Sequence, residues 1–270
     1  MKIVSLSFGL GIATSMMSLL CLGQDVKLEY HYKAGDQWRV KNTIHQQISG
    51  EALRGRTLNI VLESFEKTHV ESVDESGIAS VVSTQDSVAA KVNDQSLPHH
   101  GDETLNGIPI RRKITKTGKC LEASSNKDFP AELERTMNMF KQECQNSAGF
   151  PEKELKVGES WNDEQVFSVD LGGITFDYTI KAHYRLLGFE KNAGYDCAVL
   201  RITSTLDGTL TLEEGSGTVT GTGRGTRFFA VKEGKEVSQF MDLTATREVI
   251  TPKGKMQLRI VLNTSEELVK

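Results

Sequence analysis

The residues with the most distinctive spacing in this chain are glycines. Gly215, Gly217, Gly221, Gly223 and Gly225 fall on odd positions, broken only by Val219, while Ser216, Thr218, Thr220, Thr222, Arg224 and Thr226 fall on even ones. On a β-strand this sets a nearly bare backbone on one face and a row of polar side chains on the other. A bare strand face admits something bulky. One occupant is the chain's own helix, resting Met137 and Phe140 on the glycines. The other is an apolar small molecule or lipid held in the hollow of a curved sheet. A helix that acts as a lid reconciles the two, so the expected ligand-contacting residues are Gly217, Gly221, Gly223, Gly225, Met137 and Phe140. The run is no nucleotide cradle: the third glycine of the dinucleotide pattern is missing, and Arg227-Phe228-Phe229 leads into a strand instead of a helix.

The other chemistry-bearing residues form no motif. His99-His100-Gly101-Asp102-Glu103 has the residue types of a metal site, but adjacent histidines on extended backbone point opposite ways and no second ligand cluster has usable spacing. His31, His45, His69 and His183 are scattered. There is no Gly-x-Ser-x-Gly elbow, and a nucleophilic Cys197 would need an exposed, electropositive setting that its apolar run Cys197-Ala198-Val199-Leu200 does not offer. No catalytic residue, metal site or cofactor is expected. A glycosidase-like carboxylate pair would leave no local signature.

Lys2, followed by the apolar and small residues Ile3 to Leu22 and the small-x-small sequence Cys21-Leu22-Gly23, reads as a secretory leader cleaved after Gly23. The rival is a membrane anchor, against which Gly9, Gly11, Ser15 and Ser18 dilute the run. Lipid attachment at Cys21 is disfavoured by Leu20 directly before it. The expectation is an exported protein, periplasmic or extracellular, with no membrane span once the leader is removed. The formal net charge of −4 becomes more negative without Lys2, which argues against nucleic acid and anionic membrane surfaces as partners. In an oxidising compartment Cys120 and Cys144 are the preferred disulfide pair, leaving Cys197 as a buried thiol.

The elements that must position these residues are mainly strands. Lys33-Ala34-Gly35-Asp36-Gln37-Trp38 recurs as Lys156-Val157-Gly158-Glu159-Ser160-Trp161, and three further anchors follow in order: Leu58–Leu62 with Ile174–Tyr178, Asp74–Gly77 with Lys191–Gly194, and Lys116–Lys119 with Lys232–Lys235. One short gap reconciles all four, which points to an ancient duplication. The glycine of each Lys-x-Gly-acid-x-Trp turn supplies a positive φ, and each tryptophan covers the end of a core. Strands are expected at 58–73, 78–83, 175–189, 197–203, 227–232, 236–249 and 255–264, the last with Met256, Leu258, Ile260 and Leu262 on one face. Phe129, Leu133, Met137, Phe140 and Cys144 recur at helical spacing, predicting one helix over about 129–145 with Asp128 as its cap and Pro130 in its first turn. Residues 93–107 read as a long exposed loop. The fold expected is mainly β, two related antiparallel units forming a curved sheet or partial barrel with one interrupting helix. The units are 24–150 and 151–270 after a leader at 1–23, or one continuous domain 24–270.

Gly35-Asp36-Gln37-Trp38, Gly158-Glu159-Ser160-Trp161 and Gly223-Arg224-Gly225-Thr226-Arg227-Phe228, with the leader, resemble a group of uncharacterised secreted bacterial proteins built on a duplicated β-unit. The architecture expected is similar to that of periplasmic lipoprotein carriers and related lipid-binding proteins, a likeness of fold and not of motif. It implies non-enzymatic binding of an apolar or amphipathic ligand in the cell envelope. A structural or protein-interaction module is the alternative, and a hydrolase whose acids meet only in the fold is the third reading.

Overall fold

The structure, a computed structural model, describes residues 25–96, 107–125, 131–147, 149–170, 175–213, 215–252 and 254–269. The protein is mainly β. Its strands are β1 (Gln37–Gly50), β2 (Thr57–Val73), β3 (Ala79–Val92), β4 (Gln95–Ser96), β5 (Pro109–Ile114), β6 (Cys120–Ser125), β7 (Ser160–Asp170), β8 (Thr175–Asn192), β9 (Tyr195–Leu212), β10 (Gly215–Ala230), β11 (Lys235–Thr251) and β12 (Gly254–Val269). All belong to one antiparallel sheet in the order β6-β5-β3-β2-β1-β12-β11-β10-β9-β8-β7, with β4 paired to β3 alone. Each half of the chain is a meander, and β12 zips them together by pairing with β1 from Gly50↔Leu258 to Arg39↔Val269. Most strands outrun the apolar stretches that announce them: β3 extends to Val92 and β9 to Leu212. Their continuations carry the alternation that a sheet with one wet face requires. Residues 93–96 form a tight hairpin, not an open loop, with Lys91 opposite Ser96 and Asn93 and Asp94 at positive φ.

The two edge strands, β6 and β7, do not pair with each other, and the helix α1 (Ala131–Gln145) lies between them. A disulfide joins Cys144 of α1 to Cys120 of β6. The Cys120 N–H donates to Ser147 Oγ at 2.6 Å, and the Ser168 N–H of β7 donates to Gln142 Oε1 at 3.3 Å. The sheet is therefore curled until its edges face one another across α1, an open barrel bridged by a helix. The helix satisfies edge groups that would otherwise invite another strand. Asp128, Pro130 and residues 1–23, the expected leader, lie outside the described residues, as do Leu97–Asn106 with the histidine pair. Among the described residues no helix is long and apolar enough to cross a membrane.

One end of the curl is plugged. Val26 and Leu28, from the segment before β1, and Phe150 and Leu155, from the segment before β7, enter the sheet and pack with Leu186, Ala198, Leu200 and Phe229. The two segments are tied by paired backbone hydrogen bonds between Val26 and Leu155. Both Lys-x-Gly-acid-x-Trp turns sit at this end and make the same bonds. Gly35 N–H donates to the Val70 carbonyl and Val70 N–H to the Asp36 carbonyl; Gly158 and Glu159 do the same with Leu186. The acid of each turn accepts from the backbone of its own lysine, Lys33 to Asp36 at 3.1 Å and Lys156 to Glu159 at 2.8 Å. Both glycines are at positive φ, +91° and +93°, where any other residue is strained. Trp38 packs beside Tyr32 over Val70, and Trp161 stacks on Tyr184 with ring centroids 5.2 Å apart.

Candidate functional site

The face of the sheet turned into the curl is layered. On β2 it presents Leu58, Ile60, Leu62, Ser64, Glu66, Thr68 and Val70, and pairing puts these beside Ile48, Ile44 and Asn42 of β1. On β12 it presents Leu258, Ile260, Leu262, Thr264 and Glu266, and on β11 Val249, Arg247, Ala245, Leu243, Met241 and Gln239. From the open end inward the order is an apolar wall, a thin hydroxyl layer, a charged floor and the plug. Leu58, Ile60, Leu62, Ile44, Ile48, Leu243, Leu258, Ile260 and Leu262 are all half-buried, in contrast to the fully buried Leu28, Leu155, Leu186 and Leu200 of the plug. None of them belongs to a packed core cluster among the described residues.

The floor gathers side chains from both halves of the chain. The Arg227 Nε–H donates to Gln239 Oε1 at 2.7 Å and lies 3.4 Å from Glu236 Oε1; Tyr30 reaches Glu236 Oε2 at 3.5 Å. Arg112 of β5 is 3.8 Å from Glu66. Burial opposes the Arg227 charge, but Glu236, Tyr30, Tyr184 and Glu266 around it outweigh burial and raise its pKa above the ordinary arginine value. Burial, with the help of Glu236, pushes the Glu266 carboxyl up to about 7. Two cavities flank Tyr30, one of about 260 Å³ reaching Glu143, Trp161 and Arg227, the other of about 640 Å³ reaching Trp38, Glu236 and Glu266. Chemically the floor offers a carboxyl poised near neutrality beside one paired with an arginine, the arrangement used by general acids and bases.

The Glu266 shift has a measurable sign. Unfolded, the carboxyl titrates at its ordinary 4.5; in the fold it holds its proton up to about 7. Stabilisation from the protonated form is therefore complete below pH 4.5 and is lost as pH rises through about 7, a change on the order of 3 kcal/mol. Glu266→Gln should match the wild type in urea unfolding near pH 4.5 and exceed it by about 2 kcal/mol near pH 8. Equal stability at both values would mean that Glu266 is not held in its neutral form.

The glycines do line the inner face, with Gly217, Gly221, Gly223 and Gly225 opposite Val249, Ala245, Leu243 and Met241. They are not bare, and α1 does not cover them. A Cβ on Gly225 would collide with the Met241 side chain, one on Gly223 would come within 2.5 Å of Ser204 Oγ, and one on Gly221 within 2.9 Å of the Ala245 Cβ. Side chains from β9 and β11 thus lean over β10 and fill the stripe. Near Gly217 a second group crosses it: Arg247 of β11 reaches over β10 and β9 to the Phe176 ring of β8, its Cζ 4.9 Å from the ring centroid. Met137 and Phe140 pack instead at the sheet edge, with Ile110, Cys120 and Ala123. The helix is drawn there by the disulfide and by the unpaired edges of β6 and β7. The six residues expected to form one site are therefore split between the middle of the sheet and its seam.

The floor residues escaped sequence reasoning because they come from β2, β5, β10, β11, β12 and α1 with no local spacing. One signal was available: Glu266 continues the apolar face of Leu258, Ile260 and Leu262, and an acid on that face marks a polar site inside. Among the described residues no group of three or more His, Cys, Asp or Glu side chains is placed to hold a metal ion.

No protein family and no curated protein matches the chain. Solved structures similar to it include a Bacteroides fragilis protein with a YmcC-like fold, named as an exported protein, at 13% identity, covering 90% of this chain and 99% of that one with a TM-score of 0.25. They also include Pseudomonas aeruginosa OccK2 (OpdF) in complex with glucuronate, at 6% identity, covering 88% of this chain and 100% of that one with a TM-score of 0.22. Likeness at this level carries no inference about how this chain folds or what it does.

Proposed function

We propose that this protein binds an apolar or amphipathic molecule inside the curl of its sheet and does not transform it. The observation that carries the reading is the apolar inner wall. Its leucines and isoleucines, on β1, β2, β11 and β12, face inward but stay half-buried, while Leu186, Leu200 and Phe229 on β8, β9 and β10 are fully buried in the plug. An inward apolar surface of this kind is the usual character of a ligand site, where a few polar groups fix the orientation of a mostly apolar occupant. The plug closes one end and α1 guards the seam, so the open end is the route of access. A fluorescent apolar probe, N-phenyl-1-naphthylamine, tests the reading. Saturable enhancement of its emission by the purified protein supports an interior site; linear, non-saturating enhancement contradicts it.

A hydrolase is the second reading, favoured by one observation: Glu236 and Glu266 line the same cavity of about 640 Å³ with Tyr32 and Trp38. It is the weaker, since the two acids are accompanied by no metal-binding cluster among the described residues and the apolar wall has no task in it.

A further inference from the structure

Among the described residues three arginines face into the curl, and two of them have acids. Arg112 is matched by Glu66 and Arg227 by Glu236. Among the described residues no acid pairs with Arg247. Its Nε is buried without a hydrogen-bond partner among the described residues, and its Cζ lies over the Phe176 ring. Its chain neighbour Glu248 faces the other side of the sheet and binds Lys255 at 2.6 Å. The residues opposite Arg247 on the flanking strands are Val219 and Leu258, both apolar.

A guanidinium cannot shed its charge, so this one persists in a partly desolvated, apolar setting. Burial lowers its pKa and no neighbouring anion offsets that effect. Even partial removal of a charge from water without a partner is unfavourable, and an anion at the guanidinium relieves that cost. The guanidinium sits over the Phe176 ring with its buried Nε–H unpaired, and a carboxylate or phosphate is the group that fits a guanidinium fork in a two-pronged way. The opposite end of the interior is unsuited to the same head group. There Arg112 and Arg227 are already matched by Glu66 and Glu236, which leaves no unpaired cation for an anionic head group.

Resting on the binding reading above, we propose that Arg247 is the headgroup-binding residue of the interior and that the ligand is a lipid-like anion, a carboxylate or phosphate monoester on an apolar chain. Its chain lies inward from Arg247 along Ala245, Leu243, Ile260 and Leu262. The apolar wall supplies most of the affinity and Arg247 supplies the choice of head group and the orientation.

The test displaces N-phenyl-1-naphthylamine from the purified protein with three amphiphiles of equal chain length: hexadecanoate, hexadecan-1-ol and hexadecyltrimethylammonium. Hexadecanoate should compete at least about ten times more strongly than the other two, the ratio expected from one charged hydrogen-bonded pair. Arg247→Met should erase that preference while leaving displacement by the alcohol unchanged, and Arg247→Lys should keep part of it. Removing an unpaired charge does not threaten the fold, and urea unfolding of each variant checks this. Equal displacement by all three amphiphiles, or a carboxylate preference that survives in Arg247→Met, overturns the assignment of Arg247 but leaves the apolar site standing. Failure of the protein to bind the probe at all overturns both. Hexadecyl phosphate, run beside hexadecanoate, tells which anionic head is preferred.

Discussion

Replacing Cys120 and Cys144 together by serine is expected to lower stability by about 3 kcal/mol and to open the seam of the sheet. The bond closes a segment with a sequence separation of 24. On the chain-entropy account a loop of that size, left free in the unfolded state, gives about that value. The local consequence is larger than the global one. A helix of 15 residues is marginal on its own in water. α1 is held by the disulfide, by Met137 and Phe140 against Ile110 and Ala123, and by the Ser147 bond to Cys120. Without the covalent link, α1 should leave the sheet at a free energy below that of global unfolding. The Ser168 N–H of β7 then loses Gln142, and β7 becomes a free edge. Hydrogen exchange should show faster opening of α1 and β7 in the double variant, with β9 to β12 little changed. A loss below about 1 kcal/mol with unaltered exchange would mean that packing alone holds the helix.

The second large effect belongs to Arg227. Arg227→Met keeps most of the side-chain volume but leaves Glu236 and Glu266 facing each other without their shared cation. The side chain is 23% exposed and its partner Glu236 19%, so the loss should fall near the low end for a broken buried pair, about 3 kcal/mol. It should grow with pH, because each remaining acid then makes ionisation of the other harder. Adding Glu236→Gln to Arg227→Met should restore much of the stability, a coupling that a double-mutant cycle in urea measures directly. If the two substitutions simply add, the contact between Arg227 and Glu236 carries no specific energy.

Much of the architecture was legible in the chain because it is local. Runs of β-branched and aromatic residues and their glycine turns announce β2, β3, β8, β9, β11 and β12 but give no range for β1, β5, β6 or β7, and Met256, Leu258, Ile260 and Leu262 share the face expected for them. The run from Phe129 to Cys144 announced α1, and the glycines at odd positions marked the inner side of β10. The rest depends on contacts between residues far apart in sequence. Nothing near Gly217 says that Arg247 and Phe176, on strands that pair with neither each other nor the same neighbour, meet across it. Nothing near Cys144 says that β7, the start of the second half, will lie against the same helix as β6. That juxtaposition follows from β12 pairing with β1, which makes β6 and β7 the two free edges. The charged floor was hidden for the same reason, since Glu66, Glu236 and Glu266 become neighbours only when the sheet curls. The twin turns were readable as construction. Their matching hydrogen bonds at Val70 and Leu186 give both tryptophans a structural task beside the plug, away from the inner wall.

The claim that the curl is a binding chamber is tested most directly by placing a charge on its wall. Ile260 faces inward at the centre of the wall, and Gln257 on the same strand faces out and is exposed. Titrated with N-phenyl-1-naphthylamine, Gln257→Lys should bind like the wild type, while Ile260→Lys should lose at least about ten-fold in affinity yet unfold cooperatively in urea. Undiminished binding by a folded Ile260→Lys, or equal loss in both variants, would contradict an apolar site inside the sheet.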